Sequence, residues 1–449
     1  MKKANALFLL LTLFLAPLSY STTLELNKPS LNSRGYLFEI HGSNTIGAHL
    51  APTLVEQWLR HHQFETIERR KTTLTNEVEI WARTPASGMT IKVKIAAHGS
   101  STGFLKLQSN IADIAAASRP VKHSENALFP SINLAQYENE TVLAIDGLAI
   151  IAHPALNISH LTITQLGQIF SGEITNWADL GGPNLDVTVH SRDGNSGTFD
   201  TFKALVLSRG YSLTEEALRY ESNEALSRQV AMSPGAIGFT AFASIGQAKV
   251  IAIVDGESLP MPPVTTSIAT EDYPLSRRLY LYQANTENNY ALDFLSFVKS
   301  QAGQRSVEQA GFVSQNLSEV QIPPNEHMPQ GYRFLVSQAH RLTTNFRFVP
   351  GTKQLDNKAL DDLERLSNYM NRPENQTREV FLVGFVNKQS NEFRAQILSE
   401  ARVQSVKNKL RLTGVETNAM TGYGELNPVS DNSDERYALR NQRVEVWIK

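Results

Sequence analysis

There is no cysteine among the 449 residues. That removes disulfides, thiolate metal sites and a lipidated N-terminal cysteine in one step. A charge excess is missing too. Lys plus Arg is 42 and Asp plus Glu is 44, a formal net charge of −2. Such a balance gives no argument for nucleic acid or an anionic membrane as a partner. Long apolar runs are equally scarce. Beyond the N-terminus, no segment approaches the roughly 18 unbroken apolar residues of a membrane helix. Nor does a His/Asp/Glu pair stand at helical ligand spacing near the polar loops described below. No metal and no other cofactor is expected.

What is present reads as a globular chain, 41% apolar and 19% charged, long enough for two or three domains. Lys2, Lys3, the apolar stretch 6–18 and Ser19-Tyr20-Ser21 have the order of a secretory signal peptide, assigned to residues 1–21. Its apolar core is too short to span a bilayer. The expectation is an exported protein, periplasmic in a Gram-negative cell.

Strands alternate with helices through the first two thirds of the chain, the pattern of an α/β sheet with parallel strands. Residues 36–40, 91–97, 113–117 and 236–242 are expected strands. Val142 to Ala152, VLAIDGLAIIA, is apolar almost throughout, as in a strand covered on both faces. The polar stretch 60–88 reads as an elaboration. Ligands of such sheets bind beyond the carboxyl ends of the strands. Three polar loops fall there, each between a strand and a helix start: GSNT at 42–45, GSSTG at 99–103 and SRDGNSGT at 191–198. A helix start has unpaired N–H groups and positive potential. In the third loop, Ser196, Gly197 and Thr198 sit at that start, with the Arg192 fork beside them. This is chemistry suited to an oxyanion.

These loops and the blocks ADIAAASRPVK, LTITQLGQIFSGEITNWADLGGP, GAIGF and DFLSFVKSQAGQ resemble the PstS-like phosphate-binding proteins of ABC transporters, over about residues 36–315. The resemblance implies a two-lobed periplasmic-binding-protein fold of type II, with the anion clamped in the cleft. It implies phosphate contacts from Thr45, the Ile46 backbone, Ser100, Ser118, Arg192, Ser196, Gly197 and Thr198. Some members carry an aspartate at the position of Ser118, which accepts the proton of hydrogen phosphate and repels sulfate. Ser118 is neutral, so inorganic phosphate or a related tetrahedral oxyanion is expected, with selectivity left open. Each loop is also preceded by a histidine. His41, His98 and His190 are a candidate pH-sensitive ring around the pocket, although alternation along a strand can turn any of them into a lobe core.

Residues 318–335 are polar and proline-containing and read as a flexible linker. Beyond it, strands are expected at 346–349, 380–385 and 444–448, and helices at 355–370 and 393–412. Ile397, Ala401, Val406 and Leu410 are the expected core side of the last helix. This small α+β pattern at 336–449 resembles the OmpA-like peptidoglycan-binding domain, through FRFVPGTKQLDNKALDDLERL, TGYGELNPVSDN and RNQRVEVWI. In that family an aspartate grips the ammonium of diaminopimelate and an arginine grips its carboxylate. Arg402 matches the arginine. The aspartate position is Asn387, followed by Lys388, which weakens or alters the wall contact. Arg443 either lines the same site or braces the final strand.

The reading is therefore a non-enzymatic phosphate binder over 35–317, held at the cell wall by its OmpA-like domain. Peptidoglycan is the second partner, and an ABC permease is left open as a third. Two others compete. One is an envelope structural or adhesion protein with secondary anion binding and weak or no wall affinity. The other is an enzyme, for which Ser196 has neither a paired base in sequence nor a G-x-S-x-G elbow.

Overall fold

The computed structural model describes residues 29–194 and 196–449; the signal-peptide reading lies outside them. Among the described residues no helix is long and apolar enough to cross a membrane.

The apolar run at 142–152 lies within a strand of 13 residues, β6 (Glu140–Ala152), buried along all but its first position. It belongs to two lobes at once. Its first half pairs antiparallel with β12 (Ser276–Tyr282), and its second half with β10 (Ala236–Ala241) and β11 (Lys249–Val254). β12 in turn pairs with β5 (Ile114–Ala117). β6 and β12 are thus the crossover strands. Lobe one contains β1 (Glu39–Gly42), parallel to both β4 (Thr90–Ala96) and β5. Lobe two contains β8 (Thr188–Arg192), parallel to β9 (Leu218–Tyr220) and β10, while β7 (His160–Thr162) runs parallel to β11. The expected parallel pairing holds inside each lobe. It gives way to antiparallel pairing where the chain crosses over and at an added hairpin. That hairpin, β2 (Glu65–Lys71) and β3 (Glu77–Arg83), is the 60–88 elaboration, extending lobe one at its edge.

Each lobe is fixed by large side chains. In lobe one Trp58 packs edge-on to Phe38 and Phe294. In lobe two Phe202 and Phe239 stack with centroids 4.2 Å apart. Such rings bury enough apolar surface to hold a rigid body on each side of a cleft.

The C-terminal domain is a five-stranded sheet in the order β13 (Glu319–Val320), β14 (His340–Phe346), β17 (Arg443–Ile448), β15 (Val380–Phe385), β16 (Ala419–Gly422). Along β17, Val444, Val446 and Ile448 face the helices Asn357–Met370 and Glu392–Leu412. Trp447 on the other face meets Met328, Tyr332 and Val336.

Three expectations are corrected. The 318–335 stretch is not a flexible linker. It supplies β13 and most of the helix Gln330–Val336, and Tyr332 donates from its buried hydroxyl to Glu445 at 2.7 Å. Apolar residues spaced among its prolines outweigh the composition. The strand expected at 346–349 lies earlier, at β14. Finally, the core side of the helix Glu392–Leu412 is only partly the expected one: Val406 and Leu410 are buried as expected, but Ile397 and Ala401 are not. Ile397 is 48% exposed, while Ala395, Ser399, Arg402, Val403, Val406 and Leu410 face inward. Two polar side chains occupy the buried face, which apolar periodicity cannot anticipate.

The domain docks on both lobes and on the crossover. Tyr137 and Lys299 of lobe one reach Asp361 at 2.6 and 3.0 Å. Asp255 of lobe two accepts from Ser430 at 2.7 Å. Between them, the loop before β12 offers Asp272 to Arg341 and Arg347 at 2.6 and 3.2 Å. Arg440 donates to the carbonyls of Tyr273, Pro274 and Ser276.

Candidate functional site

The three polar loops converge. The Ser43 N–H donates to the Ala116 carbonyl at the end of β5, and the Gly99 N–H to the Gly42 carbonyl, each at 2.8 Å. That ties the first two loops into lobe one. The third comes from lobe two and touches the first at Gly197. A Cβ added there would lie 1.9 Å from Thr45 Oγ1. Only glycine permits this approach.

Four hydroxyls line the junction, and each already accepts an N–H bond. Thr45 Oγ1 accepts from Arg277 Nη2 at 2.9 Å. Ser100 Oγ accepts from the Ser118 backbone at 3.2 Å and lies 3.4 Å from the Ser118 hydroxyl. Ser196 Oγ accepts from Thr198 and Phe199 N–H, at 3.2 and 3.4 Å, as the cap of helix Gly197–Leu205. Thr198 Oγ1 accepts from Arg192 Nη1 at 3.5 Å. A hydroxyl has one proton and two acceptor lone pairs. When an N–H occupies a lone pair, the hydroxyl proton is left to donate. The four hydroxyl protons are the site's donors, and the N–H bonds take up part of the oxygens' acceptor capacity. Ile46 adds the start of the helical segment 46–61, immediately after Thr45.

Arg192 sits differently from the expected open fork. Its Nε donates to the Tyr220 carbonyl, Nη2 to the Glu221 carbonyl and Nη1 to Asn223 Oδ1, at 3.2, 2.5 and 2.6 Å. These partners are neutral, so its charge is held beside Thr198 with no carboxylate paired to it among the described residues. Burial pulls its pKa below the usual value, with Asp193, Glu224 and Glu221 opposing from a distance. Its contribution is mainly positive potential. Arg119, next to Ser118, turns away onto Glu125 at 2.7 Å, so the 118 position gains neither charge.

The three histidines do not form a pocket ring. His41 pairs with Glu39 at 3.2 Å and His98, in the loop after β4, with Glu77 at 3.1 Å, both carboxylates lying on strands of lobe one. His190 is 1% exposed, stacks on Tyr220 and meets its hydroxyl through Nδ1 at 3.0 Å. Burial pushes its pKa down to about 4. Their place just before the polar loops made them candidates, but each is taken up by a neighbouring side chain instead.

The structure adds Asn223, Asp146 and Arg277 to these loops. Asn223 opens a helix with no motif to mark it. Asp146 had a signal: it is a lone carboxylate inside the apolar run 142–152, and a buried charge requires a partner. That partner is Arg277, whose Nε lies 3.3 Å away.

In the C-terminal domain, Asn387, Gln442 and Arg402 form a chain. Gln442 donates to Asn387 Oδ1 at 2.8 Å and accepts from Arg402 Nη2 at 2.6 Å. Arg402 lies over the Phe348 ring, and its buried Nε and Nη1 have no hydrogen-bond partner among the described residues. Burial pulls its pKa down to about 10. Arg443 is not in this chain. It braces the final strand through Glu445 at 3.0 Å and faces Asp272 of the first domain at 3.8 Å.

Residues 72–302, just over half of the chain, match the family described as the PBP superfamily domain, and residues 347–442 match the OmpA family. The phosphate-binding protein PstS of Borreliella burgdorferi is 30% identical over 231 residues, 49% of this chain and 79% of that one. The Bacillus subtilis protein of the same name is 27% identical over 216 residues, 48% of this chain and 68% of that one. Among solved structures, an ABC-type phosphate transport receptor from Vibrio cholerae aligns with TM-score 0.48 and 26% identity, over 62% of this chain and 99% of that one. The chain belongs to the PBP superfamily, as a PstS-like domain joined to an OmpA-family domain.

Proposed function

We propose that the chain is an exported, non-enzymatic binding protein that captures inorganic phosphate in its interlobe cleft and is held at the cell wall by its OmpA-family domain. The observation that carries the reading is the set of Thr45, Ser100, Ser196 and Thr198, each hydroxyl accepting an N–H bond and free to donate. Arg192 supplies positive potential, and the 118 position carries no carboxylate. Donors of this kind suit a tetrahedral oxyanion. Relatives named for phosphate binding support the choice of anion. Ser118 can donate or accept, so sulfate is bound more readily than by a site with an acid there.

At the wall, Arg402 would take a carboxylate of the peptide stem. Its two unpartnered nitrogens favour that, and Asn387 in place of an acid disfavours an ammonium. Because the OmpA-family domain rests on both lobes, the cleft is carried on a rigid support rather than a loose tether. A permease, if one receives the anion, must therefore come within reach of a wall-held cleft. The test is titration calorimetry of the full chain with phosphate and with sulfate, together with cosedimentation on purified peptidoglycan. Saturable phosphate heat supports the reading. Absence of heat from either anion favours the structural or adhesive alternative.

A further inference from the structure

The crossover strands carry an ion pair at facing positions. In the β6–β12 ladder Arg277 stands opposite Asp146, and the two side chains meet at 3.3 Å. Both are nearly buried. The guanidinium does more than neutralise the acid. Its Nη2 donates to Thr45 Oγ1 and to the Gly197 carbonyl, each at 2.9 Å. Thr45 belongs to lobe one and Gly197 to lobe two. One nitrogen on the crossover therefore binds the anion-facing edges of both lobes.

Two consequences follow from this placement. Cleft opening in a two-lobed binder moves the lobes about the strands that join them. Thr45 and Gly197 would then part, and a single Nη2 could not hold both. Separately, a charged N–H occupying a lone pair of Thr45 Oγ1 sends the Thr45 proton the other way. We propose that Arg277, held by Asp146, is a positioning residue of the cleft: it latches the lobes shut and aims the Thr45 hydroxyl proton at the bound anion. The proposal rests on the cleft being the anion site.

The residue's value lies in geometry as well as charge. A planar fork can contact Asp146 through Nε and the two lobes through Nη2, whereas a lysine has one nitrogen for all three. Loss of the latch should appear in the release of the anion, since related complexes differ mainly in dissociation rate.

The experiment measures phosphate binding to the full chain, by calorimetry and by stopped-flow release, for the parent, Arg277→Met, Arg277→Lys, Thr45→Val and the double variant Thr45→Val with Arg277→Met. Arg277→Met should raise the release rate about tenfold, the value of losing a charged hydrogen bond, and leave the association rate within about twofold. Arg277→Lys should fall between it and the parent. In the Thr45→Val background the cost of Arg277→Met should shrink to under about threefold, because coupled residues are not additive. A purely structural role for Arg277 would give additive losses, and that result overturns the proposal. Unchanged release in Arg277→Met overturns it as well. If Arg277→Met does not fold, Arg277→Lys decides, because it keeps a charge beside Asp146. Parent-like release in that variant overturns the latch. A parent chain that binds phosphate while these variants behave additively refutes the latch alone. A parent that binds no phosphate refutes the cleft reading and the latch with it.

Discussion

Ser118 and His190 show how far one side chain reaches at this site. Ser118 is 8% exposed and lies against Ser100, while Arg119 is neutralised by Glu125. A carboxylate placed there would meet the anion with no cation taking it away. Hydrogen phosphate can donate its proton to such a group and sulfate cannot. Ser118→Asp should therefore lower sulfate affinity at least about tenfold, the scale of like-charge juxtaposition, and keep phosphate binding near the parent value. Equal losses for both anions in competition calorimetry would refute this account. His190 makes the opposite case. Its pKa of about 4 keeps it neutral at ordinary pH. The sign follows from the depressed value. The unfolded chain gains a proton near pH 6.5 that the folded one refuses until about 4, so His190 favours folding above 6.5 and loses that contribution as pH falls toward 4. It should do nothing for anion affinity across the neutral range. His190→Gln should leave the pH dependence of phosphate affinity between about 5.5 and 8 unchanged, while raising the melting temperature at about pH 5 relative to the parent.

At the level of elements, pattern and chemistry were legible to different degrees. β15 at 380–385 falls where the apolar run of the sequence places it, and β17 starts one residue earlier than expected. The three polar loops do converge, because the parallel strands β1, β4, β5 and β8 deliver them to the junction of the lobes. What a single sequence could not show is which polar residues face inward. The helix Glu392–Leu412 is the example. Apolar periodicity selected Ile397, yet the helix buries Ser399 and Arg402 and leaves Phe393 76% exposed. The 318–335 stretch hid its strand and helix because they are stable only against the rest of the domain. Arg402 makes the chemical point testable. A buried guanidinium with two unpartnered nitrogens costs stability that an apolar side chain would not. Arg402→Leu should leave the melting temperature unchanged or raise the stability by about 1 kcal/mol, while abolishing cosedimentation with peptidoglycan. Loss of both stability and wall binding would mark Arg402 as structural.

At the scale of the whole molecule, ion pairs and hydrogen bonds join the two modules. Glu271 and Asp272 stand in the loop before β12, facing Arg278, Arg341, Arg347 and Arg443. Burial works against ionisation of Glu271, but Arg278, Arg347 and Lys358 outweigh it and hold its pKa down at about 2, against the usual 4.5. Asp272 is lowered in the same sense by Arg341, Arg443 and Arg347. A depressed carboxylate stabilises the fold above its unfolded pKa and loses that contribution as pH falls through the folded one. For Glu271 the window runs from about 4.5 down to about 2, and the contribution is on the order of 3 kcal/mol. At neutral pH the chain should melt in one calorimetric transition, because the network ties the crossover to the C-terminal sheet. Acidification through that window should split the transition in two as the modules separate. Asp272→Asn should produce the split already at neutral pH, since removing one member of a buried ionic cluster costs roughly 3–5 kcal/mol. The undocked chain also releases Arg440 from the carbonyls just before Arg277. Phosphate affinity should then fall in Asp272→Asn although that residue touches no part of the cleft. A variant with two transitions and parent-like affinity would show that the domains share stability without sharing the site.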